Sequence, residues 1–124
     1  MEIAKFVCAY TPNFIFVNFK FEIMAFDGNE GTMITLNEGA TLTREYRTNN
    51  PRKSLGAFYG KEKLLELLNQ PECMGIRIYF GEENRDFELV LVGADANQDD
   101  LLDLILDRGK KNPPFNGSSN ALNS

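Results

Sequence analysis

Apolar residues follow two different rhythms along this chain. Residues 75–81 and 87–93 are near-continuous apolar runs, with Ile76, Ile78 and Phe80 alternating against Arg77 and Tyr79. Runs of this length bounded by glycines read as strands, so the pattern predicts a hairpin over 75–93. The connection from Glu82 to Asp86 is polar and longer than a two-residue turn. Register is therefore expected to come from the alternating face rather than from turn chemistry.

A helical rhythm governs the flanks. Thr35 and Glu38 stand at capping-box spacing and open a helix over 36–48, with Leu36, Ala40, Leu42 and Tyr46 recurring along it. Gly39 weakens that helix by roughly 1 kcal/mol relative to alanine, so packing must supply the difference. The pair Asn49 and Asn50, followed by Pro51, ends it. A second helix is expected over 61–70, carrying Leu64, Leu65, Leu67 and Leu68 and closed by Pro71. A third is expected over 99–108, where Leu101, Leu102 and Ile105 oppose a row of Asp99, Asp103 and Asp107, with Gly109 as its stop. Residues 54–59 alternate as a short strand. Together these elements predict an α+β fold, a small antiparallel sheet covered by about three helices on one face.

The chain changes character near Met33, since six of its ten phenylalanines precede that residue. Two readings stay open for residues 1–32. Either 14–25 is a strand, with Ile15, Val17, Phe19, Phe21, Ile23 and Ala25 on one face, or the segment is a mis-annotated start and translation begins at Met33 or Met24. The expected organisation is thus an extension over 1–32, one domain over 33–109, and a flexible tail over 110–124 that is rich in Asn, Ser, Pro and Gly.

Composition narrows the function classes. At 124 residues, with 43% hydrophobic and 25% charged residues, the chain suits one folded domain. A net charge of -5 argues against nucleic-acid binding, because phosphate contacts need clustered Lys and Arg. Histidine is absent, which removes the usual acid-base side chain near neutral pH and the commonest zinc ligand. Cys8 and Cys73 lie far apart with no CxxC spacing, so neither a zinc ribbon nor a disulfide framework is expected, and a cytoplasmic setting fits. Asn18, Lys20 and Glu22 interrupt the apolar stretch of 14–26, so no membrane span is expected, nor a signal peptide.

The candidate chemistry is sparse. In the acidic loop 95–103, Asp95, Asn97, Asp99 and Asp103 match positions 1, 3, 5 and 9 of a calcium loop, but Asp100 replaces the glycine of position 6 and Leu106 the carboxylate of position 12. The plainer reading is a connection in which Asp95 or Asn97 closes an Asx-turn and Asp99 caps the following helix. Cys73 reads as a small buried hydrophobe rather than a nucleophile, having no histidine to activate it. Arg77 and Tyr79 either line a pocket or form the outward face of the sheet. In the tail, Pro113, Pro114 and Phe115 are stiff and aromatic and Leu122 follows, a composition suited to engaging a partner.

Residues 34–38, 75–79, 89–97 and 120–124 resemble segments of a family of small uncharacterised bacterial proteins, over about residues 33–124. The resemblance implies no activity and favours the start at Met33. Relatives in that family carry cysteines around the Pro-Pro-aromatic motif, where this chain has Asn112 and Asn116, so the resemblance implies no metal or redox role for this tail. The expectation is a non-enzymatic protein without cofactor that binds a protein partner, as an accessory subunit or an immunity-type inhibitor. The alternative is a divalent-cation or small-ligand domain built on the acidic loop.

Overall fold

The computed structural model describes residues 25–124. The strand expected over 14–25 and the question of where translation starts fall outside the described residues, Ala25 and its followers apart. Within them the order is α1 (Leu36–Asn49), β1 (Gly56–Phe58), α2 (Lys61–Leu68), β2 (Gly75–Glu83), β3 (Asp86–Ala94), β4 (Asp100–Leu106) and β5 (Lys110–Asn112). The α+β class holds. The expected third helix does not form, and the described residues carry two helices and five strands in two antiparallel sheets, β2-β3-β4 and β1-β5.

α1 begins as its sequence signal dictates, while α2 opens at Gly60 with no side-chain cap. Thr35 Oγ1 accepts from Glu38 N at 3.1 Å and caps α1, while Asn50 Nδ2 donates to Tyr46 O at 3.0 Å beside Pro51. α2 ends two residues earlier than expected, at Leu68, and buries Leu67. The hairpin is longer and tighter than its sequence suggested. Pairing continues to Glu83 and Asp86, leaving Asn84 and Arg85 as a two-residue turn with φ of 57° and 68°. Positive φ at both central positions is what a type I′ turn requires, and its twist matches that of the strands it joins.

Residues 100–106 form a strand because β3 leaves its second edge open. β3 pairs with β2 on one side, and its other row of N–H and C=O groups needs partners. The run from Leu101 to Leu106 is five-sixths apolar and short, which suits a strand as well as a helix face, and none of its residues is fully buried. A reversal at Gln98, φ 71°, brings it antiparallel onto β3. Gly93 pairs with Leu101 and Val92 with Ile105, so Leu102, Asp103 and Leu104 bulge out of the ladder. The Asp99, Asp103, Asp107 row is therefore not a helix face.

β5 lies in the segment expected to be tail. It pairs Gly56 with Asn112 and Phe58 with Lys110. Polar links fasten this small sheet to the hairpin. Ser54 N and Ser54 Oγ donate to the two oxygens of Asp86 at 3.0 and 2.5 Å, Lys111 meets Glu88 at 2.8 Å and Asp86 at 3.6 Å, and Tyr59 Oη donates to Leu89 O at 2.9 Å. The buried apolar residues are Ala40, Leu67, Leu91, Val92 and Ala94. Gly93 lets α2 approach, since a Cβ there would stand 2.9 Å from Cys73 Sγ and 3.4 Å from Leu67 O.

Candidate binding groove

Strand alternation decides which residues of the hairpin share a face. Ile78 pairs with Leu91 and Phe80 with Leu89, and directly opposed residues project to the same side. Toward the turn this face meets the row of Leu42 and Tyr46, four apart on α1. Between them lies an open apolar groove of about 330 Å³, lined by Leu42, Tyr46, Leu55, Phe80, Phe87 and Leu89, with Thr43 and Arg47 on its α1 wall and Leu122 entering from the C-terminal side. Phe80 is 86% exposed and Leu42 64% exposed, so the groove's rim is apolar as well as its floor.

The opposite face of the hairpin sets Arg77 and Tyr79 across from Val92 and Val90. Arg77 Nη1 donates to Asp100 Oδ1 at 2.5 Å and to Gln98 O at 3.0 Å, and Tyr79 Oη donates to Asp100 Oδ2 at 2.5 Å. The Tyr79 hydroxyl and the Arg77 guanidinium together hold the Asp100 carboxyl below its usual range, and the same bonds push the Tyr79 phenol and Arg77 up. Arg77 also stands over the Phe26 ring at 5.6 Å. These bonds tie the start of β4 to β2 across the sheet.

The acidic loop adopts the turn geometry. Asp95 Oδ1 accepts from Asn97 N at 2.9 Å and Asp99 N at 3.0 Å, and Asp95 N donates to Asp99 O at 3.0 Å. Asp99 caps no helix, because a strand follows, and Asp103 lies in the bulge. No group of three or more His, Cys, Asp or Glu side chains suited to a metal ion occurs among the described residues. Cys73 is free and half-buried, its thiol donating to Gly75 O at 3.2 Å. No helix among the described residues is long and apolar enough to cross a membrane.

The tail candidates separate. Pro114 and Phe115 lie with Lys110, Lys111 and Arg108 on the far side of β5, where Lys110 stands over the Phe115 ring at 5.3 Å. Pro113 begins the turn that follows β5. Leu122 alone reaches the groove, and it does so on α1. Sequence reasoning missed Arg47, Leu55 and Phe87 as groove residues, and Gly39 as a neighbour of Leu122, whose Cδ2 would stand 3.3 Å from a Cβ there. Gly39 carried the one usable signal, a glycine kept inside an otherwise capped helix, which often marks a close approach. No family model, curated protein or solved structure matches this chain.

Proposed function

We propose that this protein works by binding another protein through the groove between α1 and the β2-β3 hairpin. One observation carries the reading: an open cleft of about 330 Å³ whose floor and rim are both apolar, with Phe80 standing almost fully in water at its lip. Contiguous exposed apolar surface on a small domain marks a site of association, and exposed aromatics are enriched in such contacts. The polar groups nearby are turned to other tasks. Asp86, Glu88 and Lys111 pair among themselves, and Asp100 is held by Arg77 and Tyr79. A role without catalysis, as an accessory subunit or an immunity-type inhibitor, is consistent with that allocation. The net charge of -5 suits a basic target, whose affinity would then fall as salt is raised.

The test is a partner recovered from the native host and purified, then titrated against the wild-type chain, Phe80→Asp, and Lys63→Glu on the exposed side of α2. The reading expects Phe80→Asp to weaken binding at least tenfold with Lys63→Glu unchanged. Equal affinity for all three chains would remove the groove from the account.

A further inference from the structure

Asn116 is the one asparagine of the chain that a glycine follows, and the pair stands exposed just after the turn beyond β5. Gly117 has a φ of 68°, and a Cβ built there would meet nothing within 4 Å. Among the described residues, no hydrogen bond engages the Gly117 N–H or the side-chain amide of Asn116, whose main-chain oxygen alone is bonded. A carboxamide and the main-chain N–H that follows it are therefore both free, with no side chain on the second residue to hinder their approach.

Other pairs of this kind are protected. Asp27 precedes Gly28, but Gly28 N donates to Glu30 Oε1 at 3.1 Å and Asp27 Oδ1 accepts from Asn29 N at 2.9 Å. Nitrogen and carboxyl group are each held there by a third residue. Asn50 and Asn112 are followed by proline, which has no N–H to react. Asn123 Nδ2 is tied to Asn116 O and Ser118 O, at 3.1 Å each.

We propose that Asn116 is a site of spontaneous covalent modification, at which the Gly117 nitrogen attacks the side-chain carbonyl of Asn116 and converts the residue to isoaspartate. Gly117 N gives its proton to solvent base and bonds to Asn116 Cγ, closing a cyclic imide, while the Cγ–Nδ2 bond breaks and ammonia departs with a proton from water. Water then opens the imide. Cleavage at Cγ gives aspartate, whereas cleavage at the main-chain carbonyl leaves Gly117 joined through Cγ and turns the former carbonyl into a free carboxylate. No electrons are transferred, and the sum is an amide and water giving an acid and ammonia. The attack is intramolecular, so the unhindered approach of nitrogen to carbonyl governs its rate.

The position gives the change a local consequence. Asn123 Nδ2 bridges Asn116 O and Ser118 O, and the residue before it, Leu122, lines the groove. Isoaspartate takes the oxygen at 116 off the main-chain path and adds a carbon between 116 and 117, so the two acceptors lose the spacing that one amide spans. The turn that carries Leu122 is thereby loosened at its start, whether or not the groove takes a partner.

Ageing of the full chain in mildly alkaline buffer, followed by peptide mapping and by enzymatic methylation of isoaspartyl carboxyls, tests the proposal. Wild type is expected to convert at residue 116 at least tenfold faster than at any other described asparagine, with isoaspartate in excess of aspartate. Gly117→Ala and Asn116→Gln are expected to slow acid formation there at least tenfold while keeping the native circular dichroism. Equal conversion in wild type and Gly117→Ala, or faster conversion at another asparagine, overturns the assignment. Amide NMR of the aged chain is expected to show shifted Leu122 and Asn123 signals beside an unchanged Leu91. Unmoved Leu122 and Asn123 signals in the isoaspartyl form overturn the loosening.

Discussion

Ser54 and Asp86 meet twice: Ser54 N donates to Asp86 Oδ1 at 3.0 Å and Ser54 Oγ to Oδ2 at 2.5 Å, which ties the approach to β1 to the first residue of β3. Partial burial alone would raise the Asp86 carboxyl, but the Ser54 hydroxyl and amide, the Phe87 amide and Lys111 outweigh it and bring it down to about 2. A folded value below the ordinary 3.8 contributes stability that is present above the ordinary value and is lost as pH falls toward about 2. Urea unfolding of wild type is expected to weaken between pH 4 and pH 2, with Asp86→Asn roughly 1 to 2 kcal/mol less stable at pH 7, discounted for partial exposure, and flatter across that window. Identical pH slopes for the two chains would count against this account.

Gly109 stands where nothing larger fits. A Cβ there would lie 2.7 Å from Tyr59 Cζ and 2.8 Å from Phe58 O, and the second of these is backbone that cannot swing aside. Gly109→Ala is expected to cost roughly 1 to 3 kcal/mol by forcing β1 and β5 apart. Thermal unfolding would show it, and a midpoint within error of wild type would mean that the small sheet yields more freely than its packing implies.

Asp100 owes its lowered carboxyl first to the Tyr79 hydroxyl and then to Arg77. Tyr79→Phe removes the larger influence while leaving the ring. NMR titration of the side-chain carboxyl carbons should show Asp100 moving up toward the ordinary range in that variant. An unmoved titration would assign the effect to Arg77.

Phe80 and Leu91 share one face of the hairpin but differ in burial, at 86% and 4% exposed. Leu91→Ala is expected to destabilise by about 2 to 5 kcal/mol through the cavity it leaves, while Phe80→Ser stays within about 0.5 kcal/mol of wild type. Denaturant midpoints would separate them, and a large loss for Phe80→Ser would recast the groove as core.

The legible parts of the fold were those whose cause is local. Thr35 capping α1 and Pro51 beyond its end act within a few residues and stand where their pattern placed them, and the strand carrying Ile76, Ile78 and Phe80 forms as well, although Ile78 and Phe80 on its apolar side are exposed rather than core. The segment 99–108 failed because its aspartates fit a helical row as well as a bulged strand, and the deciding factor was the open edge of β3, a non-local demand. The hairpin turn was misjudged because Asn84 and Arg85 lack the glycine that usually signals positive φ. The groove was harder still. Leu42 and Phe80 were visible as apolar positions, but only the folded chain brings α1 across from the hairpin. Leu122 was picked out by composition, whereas its seat against Gly39 and Arg47 spans 75 residues or more and leaves no local trace.

The pairing of β1 with β5 sets an order of assembly. The β2-β3 hairpin closes across two residues, while Gly56 must wait for Asn112 to arrive from the other end of the domain. During synthesis β1 therefore has no partner until the whole three-stranded sheet has left the ribosome. Main-chain hydrogens of Ala57 and Lys111 should accordingly trade with deuterium sooner than those of Leu91, and the floor of the groove at Leu55 and Gly56 is completed only after the hairpin beside it.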